Sequence, residues 1–197
     1  MNYDEKTPRR AFFKKLIKDT IALGAGASLT LSLLQSFTTE DAANALAGSP
    51  VAANEKEFRM GVIGPAELSL ATSQIAVGKA TNKNAKEFAG FELTEAIAVT
   101  GVLKDLGTPV PAMDAKAKAT LNKIKMAKQG SEFDKAYIQA QLENHEFLRD
   151  LAQNYLKATA GKPGAAENQT RHLATLALAV FKEHVAITTS ILHELNG

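Results

Sequence analysis

EFDKAYIQAQLENHEFL, residues 132–148, is the stretch on which the fold turns. It reads as strongly helical. Stepping by 3.6 residues from Ile138 places Leu142, His145, Leu148 or Arg149, and Ala152 on one stripe. A histidine therefore points inward among apolar side chains. Three roles are open to it: metal ligand, acid–base group, or polar residue tolerated in a core. Ser131 and Asp134 open this helix, which runs from roughly Glu132 to Ala158 and ends at AGKPG.

The segments on either side read the same way. No stretch alternates apolar and polar residues between turn signals, so strands have no support. A first helix runs to about Lys79 with Pro65 near its first turn. Asn84 and Glu87 form a capping pair for a second, about Ala85 to Leu106. In it Phe88, Phe91, Glu95, Val99, Val102 and Leu106 recur at helical spacing, and Gly107, Pro109 and Pro111 stop it. The Lys-rich DAKAKATLNKIKMAKQG reads as a short accessory helix with Leu121 and Ile124 inward and a solvated basic face. A last helix spans about Ala165 to Leu195. Four principal helices on short connections predict an all-α four-helix bundle, with the accessory helix between the second and third.

Composition narrows the function classes. The 197 residues suffice for one domain plus a tail, and 45% hydrophobic with 22% charged residues is normal for a globular chain. The formal charge is +2. Residues 1–47 hold six of the 23 basic and five of the 21 acidic side chains, so the remainder is nearly neutral and offers no electrostatic case for nucleic acid. With no cysteine there are no disulfides, thiolate metal sites or cysteine nucleophiles.

Residues 1–47 read as an export signal, followed by a polar lead-in over 48–60 and the helical region over 61–197. Basic residues precede an apolar run from Ile21 to Leu34, which is shorter than the roughly 20 residues a spanning helix needs. Ala45-Leu46-Ala47 supplies a cleavage pattern, leaving no transmembrane span in the mature form. PRRAFFKK resembles the twin-arginine export motif through Arg9, Arg10, Phe12 and Phe13, which implies the twin-arginine machinery as partner and a periplasmic or otherwise extracytoplasmic location. An ordinary secretory signal and an uncleaved anchor are the alternatives.

Several polar residues share the inward stripes. In the last helix Leu173, Ala177, Val180, His184, Ile187 or Thr188, and Ile191 line up, so His184 is inward too. Glu67 lies on the face of Leu70 and Ala71, and Glu92 and Glu95 lie on or beside the stripe of Phe88 and Val99. Bundles build metal sites from Glu and His on facing helices, and this pairing suits Fe, Mn or Zn. The structural alternatives are a buried, hydrogen-bonded histidine and, for Glu67, a capping role at a helix start. His172 and His193 are expected to be exposed. No Glu-x-x-His occurs anywhere in the chain, which argues against a di-iron carboxylate centre.

The mature region resembles the DUF4142 family of exported bacterial proteins. The markers are GPAELSLATSQIAVGKATN with Glu67, KEFAGFELTEA, EFDKAYIQAQLENHEFL with Phe133, Asp134, Tyr137 and His145, and LALAVFKEHVAI with His184. The resemblance implies a ferritin-like helical bundle and no established general activity. In the second helix Glu95 and Ala96 stand where the family usually has Asp-His; Leu178-Ala179 stand where it has Leu-Pro. Nucleophile-elbow, phosphate-loop and zinc signatures are missing. The expected function is a non-catalytic binding or stress-associated role in the cell envelope. The alternative is a metal-binding protein using His145, His184, Glu67, Glu92 and Glu95.

Overall fold

The computed structural model describes residues 50–161 and 164–197, so Arg9, Arg10, Phe12, Phe13, Ala45 and Ala47 lie outside the described residues. Among the described residues five helices form: α1 Glu55–Lys79, α2 Lys83–Asp105, α3 Ala115–Met126, α4 Ser131–Ala158 and α5 Ala165–Asn196. There is no strand among the described residues. Helix α1 packs chiefly on α2 and α4 on α5, the two pairs meet through α1 and α4, and α3 leans on α1 and α4.

The first helix starts ten residues before Pro65, not near it, and takes up much of the expected lead-in. Asn54 caps it by accepting from the Glu57 N–H, while Glu57 accepts from the Ala53 N–H and from the Asn54 amide. This reciprocal box satisfies end groups that would otherwise be orphaned. Pro65 thus sits inside α1, where it cannot donate to the preceding turn. Its carbonyl accepts from Asn144 of α4 at 3.1 Å. At Gly61 the two helices approach closely: a Cβ there would lie 2.7 Å from Leu151 Cδ2.

Helix α2 also starts earlier than the Asn84 pair indicates. Asn82 caps it by accepting from the Ala85 N–H, and Asn84 instead donates to Glu194 of α5. Its end is as expected. Gly107 takes a left-handed φ of 74°, and the Gly107 and Thr108 N–H groups return to the carbonyls of Lys104 and Leu103.

The buried face of α2 is not the expected one. Val102 is 44% and Leu106 37% exposed, whereas Ala85, Phe88, Ala89, Glu92, Ala96, Thr100 and Leu103 are buried. Apolar side chains surround this helix, so their spacing does not select a face. The buried small residues Ala85, Ala89 and Ala96 mark it instead, because they allow close packing of α2 on its neighbours. That rotation carries Glu92 into the core and leaves Glu95 at its margin. In α3, Ile124 is buried and the lysines are exposed, as the solvated-face reading requires.

One end of the core is apolar, with Phe58 stacked on Tyr155 at 4.5 Å beside Val62, Ile63, Leu103, Leu151 and Phe181. The middle is polar. Gln141 of α4 accepts from the Ser69 hydroxyl and donates to Thr72, and Ser73 pairs with the Tyr137 hydroxyl at 2.8 Å. Helix α5 is long enough, and over an 18-residue window with a mean hydropathy of 1.3 apolar enough, to cross a membrane. Here it packs on α4 and buries His184 and Thr188.

Asp134, expected to help open α4, does different work. It is 1% exposed and reaches the α1–α2 turn. There it accepts from the Thr81 N–H at 3.0 Å, the Thr81 hydroxyl at 2.7 Å and the Asn82 N–H at 2.8 Å. Charge-assisted bonds of this kind are the strong ones. Replacing Asp134 with Ala strands two backbone donors and is expected to cost about 3 kcal/mol. Asp134→Asn, which keeps an acceptor, should cost less. Denaturant unfolding reads both as a lowered midpoint at unchanged slope.

Candidate metal centre

Three helices converge on one point. Glu92 from α2, His145 from α4 and His184 from α5 are 4%, 2% and 2% exposed. Glu92 Oε2 lies 3.0 Å from His184 Nδ1 and 3.3 Å from His145 Nε2, and the two ring nitrogens are 3.0 Å apart. Aromatic neighbours hold the rings. Phe88 meets both edge-on, at 6.3 Å from His145 and 5.2 Å from His184, and Phe181 lies 6.0 Å from His145.

The outer nitrogens set the tautomers. His145 Nδ1 is 2.8 Å from the Gln141 carbonyl oxygen, which can only accept, so Nδ1 carries the proton and Nε2 turns a lone pair inward. His184 Nε2 is 2.9 Å from Glu95 Oε2. The same reasoning puts its proton on Nε2 and leaves Nδ1 as the inward lone pair in the neutral ring. With both rings neutral, two imidazole lone pairs and a carboxylate oxygen face one another. Glu92 Oε2 is buried between the two rings.

This triangle has the dimensions of a coordination face. Ligand bonds of about 2.0–2.1 Å put neighbouring donors about 3.4 Å apart in a tetrahedron and about 2.9 Å apart in an octahedron. The observed 3.0, 3.0 and 3.3 Å fall in that interval. Glu95 behind His184 and the Gln141 carbonyl behind His145 are the partners that orient metal-bound histidines.

The electrostatics agree with a site that wants positive charge. For Glu92, burial alone would raise the carboxyl, but attraction from His145 and His184 outweighs it and holds the group well below the usual carboxylate range. For His184, burial alone would disfavour the cation. Contacts with Glu92 and Glu95 prevail and raise its pKa to about 9. Tyr137 is pushed up by burial and then by the Glu92 charge.

Of the five residues named from sequence, the structure gathers His145, His184 and Glu92 and stands Glu95 behind His184. Glu67 is elsewhere, 2.7 Å from Lys104, and being in mid-helix it caps nothing. His172 and His193 are exposed. The orienting carbonyl of Gln141 is not legible in the sequence, because whether a helical histidine turns Nδ1 to its i−4 carbonyl depends on its rotamer: His145 does and His184 does not. Glu92-x-x-Glu95 carried the other signal: carboxylates three apart share a face, and here they address opposite nitrogens of one ring.

A family model described as a domain of unknown function, DUF4142, matches residues 40–190. The chain belongs to that family. No match was found among curated proteins or among solved structures.

In the metal-free protein His184 binds a proton more tightly folded than unfolded. Its contribution to stability is fully present below pH 6.5 and is lost as pH rises through about 9. Thermal unfolding of chelator-treated protein should therefore show a falling melting temperature across that window. His184→Gln should flatten the fall, and an unchanged slope would refute the assignment.

Proposed function

We propose that this member of the DUF4142 family binds one divalent metal ion, iron, manganese or zinc, through Glu92, His145 and His184. The protein is a ferritin-like four-helix bundle that works outside the cytoplasm. One observation carries the metal reading: each ring turns its outer nitrogen to an acceptor, so with both rings neutral three acceptor atoms meet at 3.0–3.3 Å in the core. A cation satisfies all three together. Imidazole with carboxylate suits these metals. The missing Glu-x-x-His fits a single ion better than a pair.

The extracytoplasmic location rests on the Arg9-Arg10-x-Phe12-Phe13 motif, the apolar run after it and the Ala45-Leu46-Ala47 pattern. Twin-arginine export carries folded cargo, which allows a metal to be loaded before transport. The pKa of about 9 at His184 favours a second reading. In it an imidazolium between Glu92 and Glu95 ties α2 to α5, and the protein is a non-catalytic binding protein of the envelope.

Elemental analysis of native protein separates the two. The metal reading expects one equivalent, and refilling the stripped site should stabilise it by about 2.7 kcal/mol at a hundredfold excess over Kd. His145→Ala with His184→Ala should abolish uptake. Glu95→Gln should weaken it by about 10- to 100-fold, and Glu67→Gln should leave it unchanged. Metal-free protein whose melting temperature ignores all three ions would leave only the second reading.

A further inference from the structure

Three protein donors leave a four- to six-coordinate ion with open positions. What can fill them is set by the space beside the cluster. A partly open pocket of about 40 Å³ borders Glu92, Glu95, His145 and His184, and its other walls are mostly apolar, among them Ala66, Ala96, Val99, Leu148, Val180 and Phe181. One water needs about 10–15 Å³ measured this way, so the space admits roughly two or three atoms. The pocket exists because Ala96, one turn beyond Glu92 on the same face of α2, ends at its Cβ. Ser69 also lines it, but its hydroxyl already donates to Gln141 and accepts from Asn144.

Charge narrows the ligand further. Glu92 and Glu95 carry two negative charges and the two rings, when ligating, carry none. A divalent ion makes the set neutral. An anion added there would be an uncompensated charge against apolar walls, which is costly. Glu67 cannot alter this balance, since Lys104 lies 2.7 Å from it.

We propose that the metal ion, when it is Fe(II), binds one neutral ligand of two or three atoms, of the class of dioxygen and nitric oxide, on the face that opens into this pocket. This rests on the metal reading above. A polar organic substrate would meet mostly apolar side chains there.

Nitric oxide is the probe. The full-length protein is loaded with Fe(II) without oxygen, freed of unbound iron, assayed for iron content and exposed to nitric oxide. The expected result is the half-integer-spin resonance of an iron–nitrosyl adduct, in proportion to bound iron and unchanged by an equal concentration of azide. Ala96→Leu, which fills the pocket, should keep its iron and lose at least tenfold in adduct; Val99→Phe is the second filler if that variant fails to fold. Bound iron with no adduct overturns this inference and leaves the metal reading standing. Displacement by azide, or fillers that keep the full adduct, also overturn it. Protein that binds no iron overturns this inference, and it overturns the metal reading too when manganese and zinc also fail to bind.

Discussion

The organisation of this core follows from burying Glu92 between two histidines. A carboxylate taken out of water must be compensated, and every feature around it does so. Helix α2 packs mainly on α1, so the triad, with Phe88, joins α2 to α4 and α5. The rings cannot swing away, because aromatic edges flank them and Gln141 and Glu95 hold their outer nitrogens. A proton on His184 relieves one contact of the triangle. A metal ion relieves all three, which is why its side lengths matter more than the presence of two histidines.

The layers along α4 show how the triangle is kept in place. Asp134 pins the α1–α2 turn, Tyr137 and Gln141 bond to α1, His145 meets the triad, and Leu148, Leu151 and Tyr155 fill the apolar end. Gln141 takes part in two layers. Its side chain ties α4 to Ser69 and Thr72 of α1, while its carbonyl orients the His145 ring. A sliding of α4 along α1 would break the first set of bonds and displace the second.

Much of this was legible in the chain. The stripe through Ile138, His145, Leu148 and Ala152 is buried as spacing requires, because α4 has a polar outer face and a single apolar one. His184 was legible for the same reason. The start of α1 was misread, since Pro65 resembles a first-turn proline while the capping box at Asn54 lies ten residues earlier in a polar stretch. On α2 the apolar residues encircle the helix, so periodicity named Val102 and Leu106 and left Glu92 and Glu95 undecided. Glu67 was placed with the site because it shares a face with Leu70 and Ala71. Sharing a face does not fix distance along the helix, and Lys104 holds it elsewhere.

The sequence by itself determined the helices, the family, the near-neutral body and the inward direction of His145 and His184. These are local matters, set by residue type and a period of 3.6. Only the tertiary structure decided which carboxylate meets the histidines, which ring nitrogens face it and how much room remains beside Ala96. Those depend on the rotation of α2 against α1 and on its height against α4 and α5. Such quantities come from packing small side chains between helices, and spacing within one helix does not encode them.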